Sequence, residues 1–200
     1  ANMNKYTLST FETLMAYNQG ILKSLEFPLG SSLLTAEQCY DIQAPALHAC
    51  LTKYGILSTL PREIVFGPAR YGGLQFTNLY TQSGIQKVQL FLGHLRKMDQ
   101  TGSLIHIALA CAQQEVGISS PILEHSFSSF LDISTNSWIH HLWRFLDTIN
   151  GSIIYKDAWT PSKTFENDVN FMEIILTLDI LNDKKYIINI KNILYQILIR

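Results

Sequence analysis

Two hundred residues carry 47% hydrophobic side chains, 15 Lys+Arg and 16 Asp+Glu, for a net charge of -1. A chain of this length buries roughly 70% of its unfolded surface, so wholesale disorder is excluded. Near-neutral charge also argues against a free-standing nucleic-acid binder driven by bulk electrostatics.

Residues 8–25, "LSTFETLMAYNQGILKSL", have helical spacing with Gly20 as a soft point, and "EFPLGSS" is expected to end that helix. Thr35 and Gln38 form a capping-box pattern opening "TAEQCYDIQ". Pro45 disfavours helical torsions at the residue before it, which predicts a kink or break near Ala44. "ALHACLTKYG" resumes the helix and ends at Gly55, a candidate left-handed cap.

"REIVFG" is the best strand candidate, and "GPARYGG" is a turn. From Asn78 to Lys97 apolar residues fall on one helical stripe. "SLIHIALACAQQEVG" is apolar nearly all round, which predicts a central core helix capped by Gly117. The serine-rich segment 119–136 is the candidate linker between a region 1–118 and a region 137–200. "SWIHHLWRFLDTIN" is helical, "SIIYKDAW" is a candidate strand, and two last helices are expected over 167–181 and 184–198. The fold class is therefore mainly α: bundle-like helix packing, one or two short strands, and room for two subdomains.

Motifs that carry chemistry are largely missing from the sequence. Gly67, Gly72 and Gly73 follow an apolar run, but the Lys-Ser/Thr pair of a phosphate-binding loop is missing and Pro68 removes a donor. His140 and His141 are adjacent and would point about 100° apart on a helix, unsuited to chelating one ion. Asp157, Glu166, Asp168 and Glu173 form no paired-carboxylate turn for two metal ions, and Asp168 suits a helix start. Cys39, Cys50 and Cys111 form no disulfide or zinc framework, which points to buried thiols and an intracellular, reducing setting. The start lacks a secretory h-region, and the apolar tract Tyr186 to Ile199 is too short to span a bilayer. The first residue is Ala rather than Met, which suggests a fragment or a processed start.

Charge is unevenly spread. Residues 61–100 hold Arg62, Arg70, Lys87, Arg96 and Lys97 against Glu63 and Asp99, a net of +3, whereas residues 101–200 have a net of -3. These five cations are the candidate contacts to a nucleic-acid backbone, the alternative being a solvated basic face.

A set of scattered positions adds to this: Gln38-Cys39, Lys53-Tyr54-Gly55, Pro61-Arg62, Gly67-Pro68, Gly72-Gly73-Leu74, Leu79-Tyr80 and His94-Leu95-Arg96. In this order they resemble the segment that follows the polymerase core in reverse transcriptases of non-LTR (LINE-like) retrotransposons. Asn167-Asp168, Met172 and Ile188-Asn189 are similar to a downstream segment of that family. The pattern departs at Gln75, where that family commonly has glycine, and at Ser83, where a Glu-Gln pair would begin.

The resemblance implies a thumb-side and post-polymerase region of an RNA-directed DNA polymerase. Metal-binding aspartates, with their Tyr-x-Asp-Asp turn and magnesium, would sit in a palm outside these residues. No cofactor is expected in this chain. Its implied partners are an RNA/DNA template–primer and the palm and fingers, with no membrane, in the nucleus or cytoplasm. The contrasting readings are a stand-alone helical protein-interaction module and a degenerate element remnant.

Overall fold

The computed structural model describes residues 7–97, 99–130, 136–155 and 174. Every regular element among them is helical. The chain divides into two units, Ala1–Leu90 and Phe91–Arg200, with the boundary inside a long helix.

The first unit begins with α1 (Thr10–Met15), which runs through a π-helical turn (Ala16–Ile21) into α2 (Leu22–Leu29). Ser9 caps the start, with Glu12 completing the box. The π turn contains Gly20, the soft point of the sequence, and buries Tyr17. Pro28 does not stop α2 short: it lies in the last turn.

Helix α3 (Ala36–Lys53) starts on the expected box: Thr35 N donates to Gln38 Oε1 at 3.0 Å and Gln38 N to Thr35 Oγ1 at 3.2 Å. The break expected at Ala44 does not occur, and the helix continues through Pro45. Pro45 and Asp41 are both exposed, so water can serve the carbonyl that proline leaves without a donor. The opposite face holds the helix, burying Cys39, Gln43, Leu47, Cys50 and Leu51. Gly55 has φ +77°, and Ile56 N closes on Leu51 O at 3.0 Å, as a left-handed cap requires.

The expected strand "REIVFG" is instead the short helix α4 (Arg62–Phe66). Pro61 occupies its N-cap, and its carbonyl accepts from both Ile64 N and Val65 N. Only Val65 of this helix is buried, so strand propensity in an apolar run yields to a proline-started turn. The chain then turns through a 3-10 segment (Ala69–Tyr71) and doubles back, with Leu74 N on Ile64 O and Phe76 N on Val65 O. Gly73 lies so close to Gly67 that a Cβ on it would stand 2.1 Å from the Gly67 carbonyl oxygen.

That return seats Phe76 in the core. Its ring meets Tyr17 at 5.1 Å and Tyr54 at 5.7 Å, both edge-on. Asn18 pins the same strip: its Nδ2 donates to Gln75 O and its Oδ1 accepts from Thr77 N, each at 3.1 Å. Helix α5 (Leu79–Lys97) follows, capped by Asn78 Oδ1, which accepts from Tyr80 N and Thr81 N.

In the second unit, α6 (Gln100–Val116) starts at Asp99, whose side chain accepts from Gly102 N, and ends at Gly117 with φ +82°. It is not buried all round, as its composition led us to expect. Ile105, Leu109, Ala112 and Val116 face inward, while Leu104, Ile107, Ala108 and Cys111 are exposed.

Residues 122–124 and 127–130 form 3-10 turns that bury Ile122, Leu123, Phe127 and Phe130. They pack with α7 (Trp138–Thr148), whose Trp143 ring meets Phe127 and Phe130 and whose Nε1 donates to His125 O at 2.6 Å. So part of the segment read as a polar linker is core in this unit. Residues 152–155 take no regular structure, and the rest of the strand expected there lies outside the described residues. So do the two last expected helices, apart from Ile174, which is helical, and so do the downstream resemblance positions. No helix among the described residues is long and apolar enough to cross a membrane.

Candidate nucleic-acid interface

The five candidate cations do not share one environment. Arg62, Arg70 and Lys87 belong to the first unit, Arg96 and Lys97 to the second.

Lys87 is buried, at 3% exposure. Its Nζ donates to the Leu29 carbonyl at 3.2 Å and to Ser83 Oγ at 2.5 Å. Ser83 Oγ also donates to Leu29 O at 3.2 Å. The lysine thus closes the C-terminal end of α2, where carbonyls lack helical partners. Burial lowers its pKa below the usual lysine value, an effect the nearby Cys39 opposes. Burial likewise raises the Cys39 thiol. Helical spacing on α5 did not distinguish this inward lysine from an outward one, and a phosphate backbone does not reach it here.

Arg70 is the opposite case. It sits exposed on the 3-10 turn, its guanidinium 4.7 Å from the ring centroid of Tyr71, which is itself 77% exposed. Arg96 and Lys97 are exposed in the last turn of α5. Both strengthen that helix end by their charge, and both are free to meet a solvent-side anion.

Arg62 is half-buried at the start of α4. Its guanidinium lies 5.6 Å from the Tyr40 ring centroid, and Nη2 donates to Tyr40 Oη at 3.1 Å. Nη1 is sheltered from solvent without a hydrogen-bond partner. Arg62 lines a cavity of about 340 Å³ with Tyr40, Gln43, Glu63, Asn78 and Tyr80 among its neighbours. Apart from Asn78, which precedes a helical stripe as a cap would, nothing in the sequence marks these residues as a group.

The glycine turn is not an anion cradle. The backbone N–H groups of Tyr71, Gly72, Gly73, Leu74, Gln75 and Phe76 all donate to carbonyls of residues 64–69. Its glycines serve geometry: Gly72 adopts φ +81°, and Gly73 permits the close pass over Gly67. Gln75 has φ +62° and, with Asn150, is one of two non-glycine residues with positive φ among those described.

His94, His140 and His141 have local structural partners. His94 Nδ1 lies 2.8 Å from Asp99 Oδ2, joining the end of α5 to the cap of α6. The Gly102 N–H, and then His94, hold the Asp99 carboxyl below its usual pKa. His140 and His141 are buried, meeting Ser137 and Asn136. Among the described residues no three His, Cys, Asp or Glu side chains gather as a metal site. Asp157, Glu166, Asp168 and Glu173 lie outside the described residues. Cys39 and Cys50 are buried thiols as expected, with burial pushing Cys50 up to about 11, but Cys111 is exposed.

Comparison of the chain with protein families, with curated proteins and with solved structures finds no match.

Proposed function

We propose that these residues form a non-catalytic, thumb-side helical region of a reverse transcriptase and help hold template–primer through Arg70, Arg96 and Lys97. The polymerase chemistry, with its magnesium, would belong to a palm outside them. The observation that carries this reading is Gln75. It is where the retrotransposon pattern commonly has glycine, and its backbone occupies the left-handed region that favours glycine. The exposed Arg70–Tyr71 pair and the basic end of α5 add groups suited to phosphate contact.

The test is the salt dependence with which an RNA–DNA primer–template binds. Arg70→Ala and Arg96→Ala should each reduce the slope of log K against log salt by about 1. Lys87→Met should leave the slope unchanged. Slopes unaltered by both arginine variants would remove the nucleic-acid role.

One observation favours the protein-interaction reading. Leu104, Ile107, Ala108 and Cys111 recur at helical spacing on the exposed face of α6, an apolar stripe of the kind that docks protein.

A further inference from the structure

Helix α6 packs inward through Ile105, Leu109, Ala112 and Val116, and its solvent side carries a second apolar stripe that its own fold does not use. Leu104 is 59% exposed and Ile107 60%, with Ala108 and Cys111 exposed beside them. A helix turns by about 100° per residue, so these four positions share about 100° of arc, centred midway between Ile107 and Ala108. Gln100 and Glu115 extend the stripe at its two ends, and no Asp, Glu, Lys or Arg lies between them. Side-chain size is ordered along it: large at Leu104 and Ile107, small at Ala108 and Cys111.

We propose that this face of α6 pairs with the same face of a second copy of the chain, antiparallel about the point between Ile107 and Ala108. A two-fold pair requires a patch that complements itself. In the antiparallel arrangement Leu104 of one copy meets Cys111 of the other, and Ile107 meets Ala108. Each large side chain is set against a small one, as interdigitating helices require. The ends match too: Gln100 of one copy meets Glu115 of the other, an amide donor against a carboxylate acceptor. A parallel pair would instead stack Leu104 on Leu104 and bring the two Glu115 charges together. The stripe from Gln100 to Glu115 is about 22 Å long and one helix wide. That falls short of the roughly 800 Å² per partner of a standard interface, so the dimer is a reversible one that dissociates on dilution. Nothing in this pairing depends on nucleic acid.

The experiment follows the whole chain by sedimentation velocity under reducing conditions, from micromolar concentration upward. The parent should pass from monomer to dimer as concentration rises, and Ile107→Asp should stay monomeric throughout. Ile107 is exposed, so the substitution leaves the core of this unit intact, and an unchanged Tm checks this. A disulfide trap then reads the register. In Leu104→Cys the introduced thiol lies about 10 Å along the axis from Cys111 of its own chain. A disulfide needs Cα atoms within about 7 Å, so a bond between positions 104 and 111 must join two copies. Mild oxidation should give a covalent dimer with that bond, mapped by mass spectrometry. Ser103→Cys, exposed on α6 but off the stripe, should give far less. A parent that stays monomeric at every concentration, or a dimer unaffected by Ile107→Asp, overturns the pairing. So does a parent that crosslinks Cys111 to Cys111, or the absence of the bond between positions 104 and 111.

Discussion

Replacing Gln75 with glycine should stabilise the protein. An L-residue held at left-handed torsions loses about 1–2 kcal/mol, because its Cβ crowds the following carbonyl. Glycine escapes that strain but gives up about 0.5–1 kcal/mol in extra chain entropy on folding. The side chain lost is exposed, so little burial goes with it. The bonds that fix this position belong to the backbone: Gln75 N to Gly67 O at 3.0 Å, and Asn18 Nδ2 to Gln75 O at 3.1 Å. Both survive the substitution. The net gain is therefore about 0.5–1 kcal/mol, or about 1–4 °C in Tm for a chain of this length. Gln75→Ala keeps the Cβ and should stay within about 0.5 kcal/mol of the parent. Thermal melts and urea titrations of the three proteins measure this, with an unchanged m-value showing that only stability has moved. A lower Tm for Gln75→Gly, or an equal rise for Gln75→Ala, would refute the strain argument and with it the observation that carries the proposed function.

Gly73→Ala and Gly72→Ala should separate contact from torsion. The first drives a Cβ to 2.1 Å from Gly67 O, a backbone atom, and should cost about 2–4 kcal/mol. The second meets nothing within 4 Å and should cost only the left-handed strain less the chain entropy that alanine spares, about 0.5–1 kcal/mol net. Equal losses would mean the close pass over Gly67 is not what holds the turn. For Asp99, the folded pKa lies below the ordinary aspartate value, so its contribution is fully present above that ordinary value and is lost as pH falls through the folded pKa. Asp99→Asn should therefore destabilise at neutral pH and converge with the parent on acidification; a pH-independent difference would exclude the charge of Asp99 as the cause.

The parts of the fold that were legible depend on interactions close in sequence. The Thr35–Gln38 box, the Gly55 and Gly117 caps and the helix from Leu79 to Lys97 are set by residues within a turn or two of one another. The strand reading of Arg62 to Gly67 failed because apolar composition is shared by strands and short helices, and Pro61 supplies the first carbonyl acceptor of a helical turn. Pro45 misled in the other direction. Its local preference against helix was overridden by a buried face running from Cys39 to Leu51. In α6, composition suggested a helix buried all round, but the exposed stripe from Leu104 to Cys111 is visible only once its neighbours are placed.

The same distinction separates the candidate cations. A charge count over residues 61–100 treats five basic residues alike, yet their surroundings divide them by what each can reach. Lys87 spends its donors on Leu29 and Ser83, and its side chain is part of the core. Arg70, Arg96 and Lys97 remain in solvent, where their worth to an anion rests on Coulomb attraction that salt screens. Arg62 lies between these limits: one nitrogen is fixed by Tyr40, another is sheltered and unmet, and the ring beneath it limits how far the guanidinium can turn. A cation so restrained serves the packing of α4 against Tyr40. Substituting Arg62 should therefore lower stability with little effect on the salt dependence of nucleic-acid binding, while substituting Arg70 or Arg96 should change that salt dependence and leave stability almost untouched.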